Sequence, residues 1–192
     1  MNRLITAAFF TLAACSSPSV PDAGPGTPTI DKLLPAANEV GTWVENTALG
    51  KTGVEVAKSA TAIEALIDGD GAPFIEKGAL ALGWEHYQAD ATDLDAGAYQ
   101  MKLDARVYQM KTAVNAQETY DYLVATVSLY KANTWTAVTG VGDAARVTDT
   151  GSSWWFNARK GVFIIELKIT PKNANTGTGI EAFAKAIVAK IP

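Results

Sequence analysis

The residue types that most often act in catalysis are scarce in this chain, which has one cysteine, Cys15, and one histidine, His86. A histidine that acts as a general base needs a nucleophile to activate and an acid to orient it. Ser152, Ser153 and several aspartates are present, but no serine lies in a motif such as Gly-x-Ser-x-Gly. We therefore predict that His86 is a partly buried strand residue beside Trp84. The alternative is a surface hydrolase with His86 as its base.

Two groups of aspartates have the side chains that calcium prefers. The first, Asp68-Gly69-Asp70-Gly71, would need a third ligand, a glycine and a glutamate at positions 5, 6 and 12 of an EF-hand loop. Ala72, Pro73 and Ala79 stand there instead. We therefore predict a helix-breaking turn there. The second group consists of Asp90, Asp93 and Asp95 and is predicted to be a solvated loop. No metal or other cofactor is predicted at either group, and a weak calcium-binding module is the alternative.

Two adjacent tryptophans, Trp154 and Trp155, are the candidate binding residues. Neighbouring residues of a strand point to opposite faces of the sheet, so one of the two is predicted to lie in the core. The other is expected to be covered by the terminal helices. The alternative is that it is exposed as an aromatic platform for a sugar, a peptide or a partner protein, which makes this pair the best binding candidate in the chain.

The context of Cys15 indicates a covalent modification. Arg3 and an apolar run from Leu4 precede Leu12-Ala13-Ala14-Cys15, and this run is too short to span a bilayer. The arrangement resembles the lipobox of a bacterial lipoprotein signal peptide. The resemblance implies that residues 1–14 are removed and that the Cys15 sulfur receives a diacylglycerol. Two or three acyl chains give a stable membrane anchor.

Lipidation of Cys15 would also limit the remaining chemistry. The mature chain would have no thiol, and hence no disulfide, thiolate nucleophile or cysteine-based metal site. Ser16 and Ser17 follow the cysteine, and in the sorting rule that this resembles, serine there favours the outer membrane, with the protein facing the periplasm. The alternative is a chance cysteine in a discarded secretory peptide.

Composition divides the rest of the chain into a linker and one domain. Residues 15–29 are rich in proline, serine and glycine and have little apolar surface to bury, which predicts a disordered linker. Residues 30–192 have the size of one domain. The hydrophobic content of 48% is enough for a core. The net charge of −4 without a basic stripe argues against nucleic-acid binding.

Hydrophobic periodicity predicts an α+β domain with a mainly antiparallel sheet and helices packed on it. Thr61 and Asn115 are the predicted N-caps of the first two helices. The predicted helices cover residues 59–78, 115–131 and 178–191, and the first of them is broken at residues 69–73, where Pro73 is predicted to start a second short helical turn. The predicted strands cover residues 80–88, 99–110 and 144–148, with a hairpin over 153–170.

Two of these strands alternate regularly between apolar and polar residues. Residues 99–110 place Asp104 and Arg106 on the face opposite Leu103, Ala105 and Val107. The returning hairpin strand likewise places Glu166 and Lys168 opposite its isoleucines. This alternation is typical of strands with one buried and one solvated face.

Five short segments together resemble a family of uncharacterised bacterial exported proteins. The family typically shows a Leu-Leu-Pro start, an Asn/Asp-Gly-Gly-Ala turn and a late tryptophan hairpin. This chain differs by Asp70 between the two glycines and by Phe74 where tyrosine is commoner. The resemblance covers most of residues 33–170 and implies a single exported domain, with no activity to carry over. The segments are Leu33–Pro35, Gly41–Trp43, Ile67–Ala72, Arg106–Met110 and Trp155–Gly161.

These observations together predict a membrane-anchored lipoprotein. Its periplasm-facing, non-enzymatic domain would bind a small ligand or an envelope protein.

Overall fold

An antiparallel sheet forms the centre of the computed structural model, which describes residues 28–46, 53–68, 71–89, 102–170 and 176–192, without the side chains of residues 176–178. Eight strands belong to the described part of this sheet. Their spatial order is β1-β3-β4-β8-β7-β6-β5, and β2 also pairs with β3. The strands are β1 Trp43–Glu45, β2 Glu55–Ala57, β3 Ala79–Ala89, β4 Lys102–Met110, β5 Thr136–Val138, β6 Ala144–Asp149, β7 Trp154–Lys160 and β8 Phe163–Thr170.

Helices cover both faces of the sheet. The helices are α1 Ala60–Ile67, α2 Ala72–Glu76, α3 Ala113–Thr126, α4 Ser128–Lys131 and α5 Thr176–Ala189, preceded by a 3-10 turn at Ile30–Lys32. The helix α5 packs on β7 and β8 from one side, and α1 to α4 lie on the other side. The predicted α+β domain with a mainly antiparallel sheet is therefore confirmed.

The face under α5, here called the α5 face, is an apolar core at the central strands. Leu103, Ala105 and Val107 of β4 pair with Ile169, Leu167 and Ile165 of β8 and are buried with them. The Phe183 ring of α5 lies 4.7 Å from the Tyr87 ring and 6.3 Å from the Trp43 ring, measured between centroids. Burying each such large side chain contributes about 1.5–3 kcal/mol. The apolar stripe of α5 thus packs on the sheet as its sequence predicts.

The opposite face, here called the pocket face, has an apolar core only at one end. There Leu82, Tyr108 and Ile164 are buried beneath α1, α2 and α3. The Phe74 ring stacks on the Tyr108 ring with 3.7 Å between centroids. The predicted role of Pro73 is confirmed, since it lies in the first turn of α2. Beyond this end, the pocket face carries polar side chains.

The caps of the helices differ from those predicted. The N-cap of α1 is Ser59, whose side chain accepts a hydrogen bond from the Ala62 N–H, so Thr61 lies inside the helix. The N-cap of α3 is Thr112, whose Oγ1 accepts from the Asn115 N–H at 3.1 Å. Either hydroxyl satisfies an N–H group that the first helical turn leaves without a partner.

The predicted long helix over residues 115–131 is also interrupted. Val127 has an extended backbone, with φ −71° and ψ 117°, and separates α3 from α4. The short helix α4 therefore changes direction, and its residue Tyr130 contacts the sheet. The strands β2 and β5 were not predicted; both are three residues long and lie at the margins of the sheet.

Several predictions concern residues outside the described ranges. These are the signal peptide and linker with Cys15, the residues Gly69 and Asp70, and the loop with Asp90, Asp93 and Asp95. In the part of the chain that is described, the helices are too short or too polar to cross a membrane.

Candidate binding pocket

A cavity of about 470 Å³ lies on the pocket face, between the sheet and the helices α2, α3 and α4. The strands β4, β8 and β7 form its floor, and the break at Val127 shapes one wall. Its volume lies within the range of about 300–1,000 Å³ that is typical of small-molecule sites. The lining residues are Pro73, Phe74, Asp104, Arg106, Leu123, Val127, Leu129, Tyr130, Trp155, Asn157, Glu166, Leu167 and Lys168.

A row of polar and aromatic side chains crosses the floor, here called the polar row. Backbone pairing sets Trp84 opposite Arg106 and Arg106 opposite Glu166. The row continues from Glu166 to Asn157 and from Asn157 to Arg146. Because strands lie about 4.8 Å apart, five strands bring these side chains into one continuous line.

A second row lies one pair of residues further along the strands. Pairing places His86 opposite Asp104, Asp104 opposite Lys168, and Lys168 opposite Trp155. Acidic and basic residues therefore alternate in both directions on the floor: Asp104 and Arg106 along β4, and Glu166 and Lys168 along β8. Cross-strand pairs of opposite charge are favourable.

The Arg106 guanidinium is held by two neighbours on the floor. Its central carbon lies 4.7 Å from the Trp84 ring centroid, and its Nε lies 3.4 Å from Asp104 Oδ1. The same Asp104 oxygen accepts a hydrogen bond of 2.7 Å from Trp84 Nε1. Burial alone would lower the pKa of Arg106, but its neighbours, foremost the charge of Asp104, together raise the pKa overall. Arg106 is thus a permanent cation with a fixed position.

Glu166 is a buried acid at the centre of the floor, with 8% of its surface exposed. Its Oε1 accepts a hydrogen bond from the Tyr130 hydroxyl of α4. The Asn157 amide also donates to Oε1, at a long 3.5 Å. Burial, together with the charge of Glu166, raises the pKa of Tyr130 well above its usual range. Tyr130 therefore remains a protonated donor and ties α4 to the sheet.

Aromatic rings form one side of the pocket. Tyr130 stacks on Trp135 at 5.8 Å and meets Trp155 edge-on at 5.7 Å. Trp135 Nε1 donates to the Tyr130 carbonyl at 2.9 Å. The Lys168 Nζ lies over the Trp155 ring, 5.3 Å from its centroid. These contacts fix the position of the Trp155 ring at the pocket.

Arg146 supports the polar row from behind. It is buried between the rings of Tyr120 and Trp135, whose centroids lie 3.8 Å and 5.2 Å from its guanidinium carbon. Its Nη2 donates to the Tyr120 carbonyl at 2.7 Å. Burial lowers the pKa of Arg146. This cation links the C-terminal half of α3 to the end of the row.

The lining contains buried polar atoms that have no hydrogen-bond partner among the residues that the structure describes. They include the Asn157 Oδ1, an acceptor, and the Trp155 Nε1, a donor. Asn157 is 98% buried, since only 2% of its surface is exposed. Leaving a buried polar atom unpaired costs about 1–3 kcal/mol. A polar ligand that satisfied both atoms would recover this cost.

The predicted tryptophan pair is divided between the two faces. Trp155 lines the pocket, whereas Trp154 packs partly buried against the core of the α5 face. The prediction that the two rings point to opposite faces is therefore confirmed. Trp155 is not a flat exposed platform, because Tyr130 of α4 lies against it. Its role in binding remains a prediction.

His86 does not meet the serines. Its ring is tilted against the Trp84 ring at 4.6 Å, as the sequence predicts, and Asp104 is its cross-strand neighbour. The Ser153 hydroxyl is hydrogen-bonded to the Thr170 hydroxyl at 2.8 Å. Ser153 precedes β7, and β7 lies three strand positions from β3, which is about 14 Å. The two side chains are too far apart to form a catalytic pair.

The described residues also bear on the aspartate predictions. Asp68 ends α1 with a left-handed backbone, φ 46°, so the helix stops where the sequence predicts a turn. Within the described ranges, no three histidine, cysteine, aspartate or glutamate side chains are grouped closely enough to hold a metal ion.

Sequence reasoning missed four residues that define the pocket: Arg106, Tyr130, Asn157 and Glu166. Each was interpreted as part of a periodic pattern or not considered. The available signal was the concentration of ionisable and amide side chains on one face of three strands that pair with one another.

Comparison with known proteins gives little further information. The sequence matches no model of a known protein family and no curated protein. The fold is similar to the crystal structure of the extracellular domain of PknH from Mycobacterium tuberculosis, with 14% sequence identity and a TM-score of 0.46. The match covers 86% of this chain and 97% of that one. A likeness at this level carries no conclusion about function.

Proposed function

We propose that this protein is a lipid-anchored envelope protein whose domain reversibly binds a small polar ligand in the pocket beneath α4. The observation that carries the proposal is the buried, mixed lining of the pocket, with Asn157 Oδ1 and Trp155 Nε1 left without partners in the described structure. Apolar pockets with a few convergent polar groups are the usual form of a small-molecule site. Binding would order the ligand between Trp155 and the polar row.

A rigid setting supports reversible binding. Arg106 is fixed by Asp104 and Trp84, and Glu166 is fixed by Tyr130. A ligand that meets groups already held in place spends less free energy on ordering side chains. The pocket therefore supplies preformed donors and acceptors at its floor.

The pocket is tested by thermal unfolding of the full-length protein, solubilised in detergent, with a panel of small polar molecules. A ligand at one hundred times its Kd stabilises the folded protein by about 2.7 kcal/mol. We expect the shift in Tm to be lost in Trp155→Ala and kept in Trp154→Phe, which changes the ring on the opposite face. Equal shifts in wild type and Trp155→Ala would contradict a site in this pocket.

The anchor is supported by the Leu-Ala-Ala-Cys sequence, the preceding apolar run and the polar segment after it. Cells that express the wild-type protein or Cys15→Ala are grown with labelled palmitate, and their membranes are fractionated. We expect label and outer-membrane association only in the wild type. A wild-type protein without label, which fractionates like Cys15→Ala, would refute lipidation while leaving the pocket untouched.

A further inference from the structure

We infer that the ligand is a neutral, hydroxyl-rich molecule of mono- or disaccharide size that packs against Trp155. The inference depends on the proposed function of the pocket and adds the chemical class of its ligand. Three features of the lining support it: its balanced charges, its unpartnered polar atoms and its apolar wall.

The charges of the lining cancel. Its ionisable residues with a formal charge at neutral pH are Asp104, Glu166, Arg106 and Lys168, two acids and two bases. They alternate on the floor, because Asp104 pairs with Lys168 and Arg106 pairs with Glu166. The pocket therefore has no region of a single sign that would attract an anion such as a phosphate or a cation such as a polyamine. A net charge on the ligand would meet repulsion from one residue of each pair.

The deeper charges are also compensated within the protein. Asp104 accepts from Trp84 Nε1 and lies beside Arg106, and Glu166 accepts from Tyr130. An amino acid needs one free cation for its carboxylate and one free anion for its ammonium group. Such a zwitterion would have to separate these existing contacts. A neutral ligand adds hydrogen bonds without removing the charge compensation.

Hydroxyl groups match the donors and acceptors that the floor offers. A hydroxyl can donate one hydrogen bond and accept others, so one group can serve a carboxylate and a guanidinium at once. Asn157 Oδ1 requires a donor, and Trp155 Nε1 requires an acceptor. Two hydroxyls of one sugar can provide both, one as donor to Asn157 Oδ1 and the other as acceptor from Trp155 Nε1.

The wall of the pocket suits the C–H face of a sugar ring. Trp155 lies on one side, and Leu123, Val127, Pro73 and Phe74 line the other parts of the cavity. Lys168 now covers the Trp155 ring, but it is exposed and has a flexible stem, so its ammonium group can move aside and remain hydrated. A ring with one apolar face and several hydroxyls would use both parts of the lining.

The test is a titration calorimetry panel on the full-length protein in detergent. The probes are neutral mono- and disaccharides, zwitterionic amino acids, dicarboxylates, polyamines and nucleotides. We expect binding only in the neutral saccharide group. Salt screens interactions between charges, and a neutral saccharide makes none with the protein. The affinity of the saccharide should therefore change less than about twofold between low and high salt.

Three variants and a matched control locate the binding and separate it from folding. Trp155→Ala and Glu166→Gln are expected to weaken the saccharide by about tenfold or more, the equivalent of about one good contact. Trp155→Phe keeps the ring and removes the N–H, so it should weaken binding less. Trp154→Phe is the matched control, and its affinity for the saccharide should stay within about twofold of the wild-type value. Thermal melting without ligand confirms that each variant is folded.

The outcomes separate the inference from the proposed function. A charged or zwitterionic ligand that binds the wild type and is lost in Trp155→Ala would overturn the inferred ligand class and leave the pocket as a binding site. A saccharide that binds equally well to Trp155→Ala and Glu166→Gln would overturn the inference, because the ligand would lie elsewhere. Binding by none of the classes would overturn both statements.

Discussion

The two faces of the sheet use the same strands in different ways. On the α5 face, β4, β8 and β7 contribute buried apolar side chains, such as Val107 and Phe156, to one core. On the pocket face, the alternate residues of the same strands are Arg106, Glu166 and Asn157. Burying polar and charged groups is costly, and apolar replacements are often neutral or stabilising. We therefore expect the α5 face to contribute more to stability than the polar part of the pocket face, for which we propose a role in binding.

The comparison predicts its largest effect on the α5 face. Phe183 is fully buried between Trp43 and Tyr87. Phe183→Ala should lower the free energy of unfolding by about 3–5 kcal/mol, because it leaves a cavity. Urea denaturation measures this loss. The control is Val114→Ala on the exposed surface of α3, where a change within about 0.5 kcal/mol is expected. A small loss at Phe183 would show that α5 is not the main source of stability.

A smaller loss is expected where the pocket face is tied to α4. Tyr130→Phe removes the hydroxyl that donates to Glu166 and keeps the ring against Trp135 and Trp155. A hydrogen bond to a charged group contributes about 1.5–3 kcal/mol, so the loss should be of that order. Urea denaturation gives the loss, and hydrogen exchange of α4 should increase selectively. Unchanged exchange in α4 would mean that this contact does not hold the helix.

One acid at the margin of the α5 face should make stability depend on pH. Burial, with contributions from the charges of Glu45 and Glu55, raises the pKa of Glu85 to about 7. In the unfolded chain Glu85 ionises near its ordinary pKa of 4.5. Between these values the folded state binds more protons than the unfolded state, so the contribution of Glu85 to stability is greatest below pH 4.5 and is lost as the pH rises to about 7.

The substitution Glu85→Gln should remove this part of the pH dependence. The carboxyl group of Glu85 contributes at most about 1.4 kcal/mol per pH unit to the slope of the unfolding free energy against pH, which corresponds to one bound proton. Thermal melts of both proteins across this range measure the difference. Glu181→Gln, which removes a surface carboxylate paired with Lys185, serves as the control. Parallel profiles for wild type and Glu85→Gln would contradict a raised pKa.

The smallest effect is expected at His86. His86→Ala removes a ring that is half-buried and tilted against Trp84, outside the pocket lining. We expect a loss of stability of about 1 kcal/mol, the common size for a point substitution, and no change in ligand affinity. A panel of hydrolase substrates is assayed in parallel. Activity that is present in the wild type and lost in His86→Ala would support the alternative that this protein is a hydrolase with His86 as its base.

Local pattern was sufficient to predict the apolar half of this fold. The alternation in β4 and β8 and the stripe of α5 were identified because each depends on residues close in sequence. The pocket depends on distant ones: Tyr130 and Glu166 are 36 residues apart and meet only because the helix ends at Val127. Neither proline nor glycine marks that break, so tertiary packing determines it.

The polar face was misinterpreted for a related reason. A strand that alternates Asp104 and Arg106 with apolar residues is normally solvated on its polar side. Here α3 and α4 cover that side, and Glu166 is buried. Alternation reports which residues share a face, but it does not report what covers the face.

The unfolding free energy of Glu166→Gln tests most directly the claim that the polar row contributes to binding and not to the stability of the fold. The substitution removes a buried charge and keeps an oxygen that can accept from Tyr130. We expect stability within about 1 kcal/mol of the wild type, or above it, because burial of a charge is unfavourable. A loss of about 3 kcal/mol or more, the cost of breaking a buried structural pair, would show instead that Glu166 is part of what holds the fold together.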